Sequence, residues 1–158
     1  MTLRHDPADE PFFREWNDAR RRENGGQRTI TRSRKRSALL QEHLGLHRGF
    51  SVPACLIVGS KGKGTAVAAA TAALHATGLR VGTITSPPLR HNRERIRIDG
   101  RAISQADYEA LSQRAARALE ALPSSDDGYL PPSGMYTLIG LSWLLDAEVD
   151  VLVIEEGL

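Results

Sequence analysis

The chain has 158 residues, 41% hydrophobic and only 5% aromatic, enough for one domain of ordinary size packed by small side chains rather than large rings. A formal charge of +2 is small for this length and does not by itself imply a nucleic-acid partner, and no apolar run approaches the roughly 20 residues that span a bilayer. The single cysteine, Cys55, excludes an internal disulfide, and with no secretory signal at the start the expected compartment is the cytoplasm.

The opening stretch carries Asp6, Asp9, Glu10, Glu15 and Asp18 ahead of a basic band of Arg20, Arg21, Arg22, Arg28, Arg32, Arg34, Lys35 and Arg36. Acidic residues so near the start argue against an organelle transit peptide. Phe12, Phe13 and Trp16 form one face of a short predicted helix, ended by Gly25-Gly26. A dense basic band can bind RNA or an acidic surface, but a solvated arm or helix face is its commoner use. Residues 1–36 are therefore read as a basic, partly flexible arm with no site assigned. From Arg36 to Leu44 the spacing of Leu39, Leu40 and Leu44 predicts a helix stopped by Gly45.

Ala54 to Val58 is an apolar run, expected to be a buried strand with Cys55 in its core. Gly59-Ser60-Lys61-Gly62-Lys63-Gly64-Thr65 follows it and precedes the small-residue run Ala66 to Ala76. Strand, glycine-rich turn and helix in that order make a phosphate cradle: glycines let backbone N–H groups approach the oxygens, and the helix dipole favours the anion. Lys63 adds a mobile charge, and the Thr65 hydroxyl can reach the magnesium that travels with a polyphosphate. The strict Walker pattern is missed, because Ile57 stands where a glycine is required and Gly64 intervenes before Thr65. A solvated strand-to-helix turn uses the same residue types, so the flanking context carries the reading.

Leu79 to Thr85 is a second predicted strand, parallel to the first through a right-handed crossover, and Ser86-Pro87-Pro88 ends it. A serine at the carboxyl end of a parallel strand can reach a ligand or its metal. Arg95 to Ile98, Asp99-Gly100 and Arg101 to Ile103 read as a hairpin. Ser104 with Asp107 resembles a capping box, opening an amphipathic helix that Pro123 closes. Ser124 to Gly134 is a predicted loop, Met135 to Leu145 a buried helix, and Val149 to Ile154 an apolar strand ending in Glu155 and Glu156. Those two carboxylates are either metal ligands at a strand's carboxyl edge or a solvated pair.

Ser60 to Thr65, Leu79 to Gly82, Ser86 to Leu89, Glu94 to Ile96 with the Asp99-Gly100 turn, and Val153 to Leu158 together resemble folylpolyglutamate synthase/dihydrofolate synthase, of the Mur ligase superfamily, in content, order and spacing. The resemblance runs from about Leu39 to the last residue. It implies an α/β, P-loop-containing Mur-ligase-type ATPase domain, a mostly parallel sheet flanked by helices with a β-hairpin insertion, truncated so that residues 37–158 form its N-terminal portion. The implied activity is ATP-dependent amide ligation, in which a folate or dihydropteroate carboxylate becomes an acyl phosphate and the amine of glutamate displaces phosphate. By position, Lys61, Gly62, Lys63, Gly64 and Thr65 match the ATP loop. Thr65, Ser86 and Glu155 match the Mg2+ site, and Tyr136 and Thr137 fall at the substrate-binding segment.

Three departures are visible. Lys61 replaces the family's usual Asn, Pro88 replaces the His of Ser-Pro-His, and Met135-Tyr136-Thr137 stands where Phe-Phe-Glu is common, which weakens the case for pterin recognition. An N-terminal fragment of a longer ligase, active only with a complementing polypeptide, is the expectation. It would leave an unpaired apolar sheet edge beside Val149 to Ile154. A non-catalytic nucleotide-binding remnant and a Mur-type ligase with a non-folate substrate are the alternatives.

Overall fold

Helices α1 (Glu10–Asn24), α2 (Arg34–His43), α3 (Lys63–Ala76), α4 (Gln105–Ala121) and α5 (Pro132–Asp146) flank a single sheet in the computed structural model, which describes residues 6–25, 31–123 and 128–156. The strands are β1 (Ala54–Ile57), β2 (Val81–Ile84), β3 (Ile96–Ile98), β4 (Arg101–Ala102) and β5 (Val151–Glu155), in the order β1-β5-β2-β3-β4. The first three in that order are parallel, with Val153 opposite both Cys55 and Thr83, and β3 and β4 continue antiparallel. This is the expected α/β fold with a mixed sheet, parallel at its centre. Among the described residues no helix is long and apolar enough to cross a membrane.

Side chains of β5 alternate between two packing layers, as the two-residue period of a strand dictates. Leu152 and Ile154 join the main core with α1, α4 and α5, while Val151 and Val153 join Val67 of α3 and Val81 of β2 in a smaller cluster. At the tip of the hairpin Asp99 and Gly100 both have positive φ, 52° and 75°, as a tight two-residue turn requires. Ser104 caps α4: its Oγ accepts from Asp107 N at 3.1 Å and donates to Asp107 Oδ2 at 2.6 Å. Helix α5 begins at Pro132, so Pro132 to Gly134 are helical rather than part of the predicted loop. Proline suits a first helical turn, where its missing N–H would have had no partner.

The packing corrects three expectations. The N-terminal segment is not a loose arm over its described residues, because Phe12 is 1% exposed and stacks on Tyr136 with ring centroids 4.0 Å apart. Arg36, from the basic band, is 6% exposed; it pairs with Glu15 and donates to Pro123 O at 2.7 Å, while Glu15 Oε2 accepts from Leu130 N at 2.8 Å. Arg28, Gly26, residues 124–127, Gly157 and Leu158 lie outside the described residues.

Cys55 is exposed, not buried. It sits on β1, which pairs with β5 on one side and forms the margin of the sheet; Leu56 and Val58 are 59% and 58% exposed. The unpaired apolar edge is therefore β1. Strand β5, expected beside the edge, is paired on both sides and buried along its whole length.

Candidate functional site

The turn between β1 and α3 closes tightly because two of its glycines occupy conformations that a side chain would oppose. Gly59 has φ 144° and Gly62 φ 73°, and Gly62 is the residue from which α3 starts. The helix thus begins at Lys63, earlier than the small-residue run, so Lys63, Gly64 and Thr65 form its first turn, where backbone N–H groups have no intrahelical acceptors. Lys63 Nζ donates to Gly59 O at 2.8 Å, folding the ammonium back over the turn. Lys61 is exposed at the tip.

Glu155 ends β5 opposite Ile57, the last residue of β1, which sets its carboxylate beside the turn. Its side chain is 9% exposed, and Oε2 accepts from Ser86 N at 3.3 Å. The same oxygen is 4.0 Å from where a Cβ on Gly64 would lie, an ordinary contact distance that places the carboxylate beside the first turn of α3. Three parallel strands therefore bring Gly64, Ser86 and Glu155 together at their carboxyl ends, where open α/β sheets bind ligands. Thr65 lines the same cleft, a space of about 810 Å³ that runs from Glu155 between α3 and the hairpin to His75 and Asp99. Glu156 is exposed. Among the described residues no cluster of three or more His, Cys, Asp or Glu side chains could hold a metal by itself.

Tyr136 and Thr137 do not line this cleft. Tyr136 is buried on the opposite side of the sheet, where its hydroxyl lies 2.8 Å from that of Tyr108. Tyr108 donates to Asp9 Oδ1 at 2.5 Å, and Asn92 Nδ2 donates to Asp9 Oδ2 at 2.9 Å. Burial above all, with the Asp9 carboxylate adding to it, pushes both tyrosines well above the ordinary phenol range, so both hydroxyls stay protonated.

Arg95 joins the two sides. Its Nε donates to Asn92 Oδ1 at 3.0 Å, its Nη1 donates to Ser86 Oγ at 2.9 Å, and its guanidinium lies 4.7 Å above the Tyr136 ring. Burial draws the guanidinium below its ordinary value. Sequence reasoning placed no role on Asp9, Asn92, Arg95 or Tyr108. The one available signal was that Arg95 belongs to the Glu94-Arg95-Ile96 motif.

No family model matches the chain. Individual proteins do: folylpolyglutamate synthase of Arabidopsis thaliana is 30% identical, over all of this chain and 27% of its own length. Dihydrofolate synthase/folylpolyglutamate synthase of Bacillus subtilis is 32% identical over 71% of this chain and 26% of its own length. A Mycobacterium tuberculosis folylpolyglutamate synthase complexed with ADP superposes with a TM-score of 0.72 at 29% identity, covering 94% of this chain and 32% of that one. The fold and these likenesses define an α/β domain of the Mur ligase type. The chain belongs to the folylpolyglutamate synthase/dihydrofolate synthase family. It spans about a quarter of the length of these two curated relatives. The likeness also extends over the N-terminal segment that the sequence motifs left out.

Proposed function

We propose that the turn Lys61 to Thr65, with Ser86 and Glu155, is the Mg-ATP site of an ATP-dependent carbon-nitrogen ligase of the folylpolyglutamate/dihydrofolate synthase type. The observation that carries this is the convergence of Gly64, Ser86 and Glu155 at the carboxyl ends of parallel strands, beside a glycine turn that opens a helix. First-turn N–H groups of α3 would receive phosphate oxygens, and Lys63 would exchange its bond to Gly59 O for an outer phosphate. The donor set fits magnesium rather than a softer metal, since Glu155, Thr65 and Ser86 offer only hard oxygens. One carboxylate with hydroxyls is typical where phosphates and water complete the shell. When bound, the cation would neutralise charge on the transferring phosphoryl group.

In the reaction the kinship suggests, a substrate carboxylate attacks the γ-phosphorus and releases ADP; an amine then attacks the acyl carbon and releases phosphate. No protein nucleophile is needed, so positioning and charge neutralisation carry the chemistry. A folate or dihydropteroate carboxylate and the amine of glutamate are the proposed reactants of the complete ligase, of which this chain corresponds to about a quarter of the length of its relatives. The burial of Tyr136 favours keeping a non-folate carboxylate as the second reading, because it removes the one aromatic of Met135-Tyr136-Thr137 from the cleft.

Titration calorimetry with a non-hydrolysable ATP analogue and magnesium tests the site. Binding should weaken by about tenfold or more in Lys63→Ala, the loss of a charge-assisted hydrogen bond. Equal affinity in the two proteins would overturn the assignment.

A further inference from the structure

The buried polar chain from α1 to the phosphate turn is built from residues that the nucleotide reading does not use. Ser86 is held at both ends: its N–H goes to Glu155 Oε2, and its Oγ accepts from Arg95 Nη1. That second bond occupies one lone pair of Oγ and fixes the rotamer, leaving one lone pair and the hydroxyl hydrogen for a ligand. Arg95 is in turn set by Asn92 Oδ1 and the face of Tyr136. Asn92 cannot flip its amide without losing Asp9 Oδ2 as acceptor, and Asp9 is locked by the Tyr108 hydroxyl. The negative charge that balances the buried guanidinium thus sits one layer back, on the residue just before α1.

We propose that Arg95 is a positioning residue for the Ser86 hydroxyl, held by Asp9, Asn92, Tyr108 and Tyr136, so that the amino end of α1 governs the magnesium-dependent part of nucleotide binding. The proposal rests on the Mg-ATP reading of the site. It gives the N-terminal segment, which carries none of the family motifs, a task at the site.

The test measures affinity for a non-hydrolysable ATP analogue with magnesium and again with a chelator, and takes the ratio as the magnesium enhancement. A purely structural role for the network would move folding and leave that ratio alone. Arg95→Lys keeps the charge but cannot fork to Asn92 and Ser86 together. Its enhancement should fall by about tenfold, the usual cost of losing a partner behind a metal ligand, with affinity in chelator unchanged. Asp9→Asn should lower the ratio in the same direction by less. Ile139→Val, a core change outside the network, should lower the melting temperature without moving the ratio.

An unchanged ratio in Arg95→Lys, with wild type showing enhancement and Lys63→Ala losing affinity, overturns this proposal and leaves the nucleotide site standing. Wild type that binds no nucleotide, or binds with no enhancement, overturns both. If Arg95→Lys does not fold, Asp9→Asn decides the matter alone, and an unchanged ratio there counts against the proposal.

Discussion

Helices α3 and α5 are both apolar nearly all round, yet only α5 is buried. Met135, Tyr136, Leu138, Ile139, Gly140, Leu141 and Leu144 of α5 are enclosed by the sheet and by α1 and α4, whereas α3 buries only Val67 and Thr71. An apolar circumference states that a helix needs cover on every side; it does not say what supplies the cover. On one face of the sheet the described residues supply four helices, α1, α2, α4 and α5. On the other, among the described residues, α3 is the one helix, next to the open edge of β1. The glycine turn belongs to the sparsely covered face, and the network behind Ser86 belongs to the dense one.

The contrast breaks most readily at Phe12. Phe12→Ala should cost roughly 3–5 kcal/mol in urea unfolding, as for other buried aromatics. A loss under about 1 kcal/mol would mean that α1 is not part of the dense side. A pH titration sharpens the same side. The folded state raises the pKa of Tyr108 and Tyr136, so their contribution is complete below the ordinary phenol value of about 10 and is lost as pH climbs beyond it. Alkaline unfolding followed by circular dichroism should therefore set in above that pH and become shallower in Tyr136→Phe; an identical slope would remove these hydroxyls from the account. The smallest effect is expected on the sparse side, where Leu56→Thr should change stability by no more than about 0.5 kcal/mol. A loss above about 2 kcal/mol, growing with protein concentration, would reveal that β1 is covered by another copy.

Local chemistry was legible in the sequence, and long-range placement was not. Asp99-Gly100 gave the hairpin because the turn demands positive φ at both positions, and Gly59 to Thr65 marked the strand-to-helix junction because few residues other than glycine fit it. Strand order left no such trace. Val149 to Ile154 reads as apolar whether it is central or marginal, so the edge was assigned beside β5 when it belongs to β1. The basic band hid the packing of α1, though not the helix itself, for a similar reason. Arg36 is buried because Glu15, 21 residues earlier, meets it, and no periodic pattern encodes that meeting. Asp9, Tyr108 and Tyr136 likewise converge across separations of 99 and 127 residues.

The ion pair of Glu15 with Arg36 also sets the order in which this protein can acquire its shape during synthesis. Glu15 needs Leu130, and Arg36 needs Pro123, so α1 leaves the ribosome well before the residues that fix it in place. At ordinary elongation speeds the wait is on the order of ten seconds. Throughout that interval Phe12 lacks the Tyr136 ring on which it stacks in the finished fold, so the apolar face of α1 waits without its final cover.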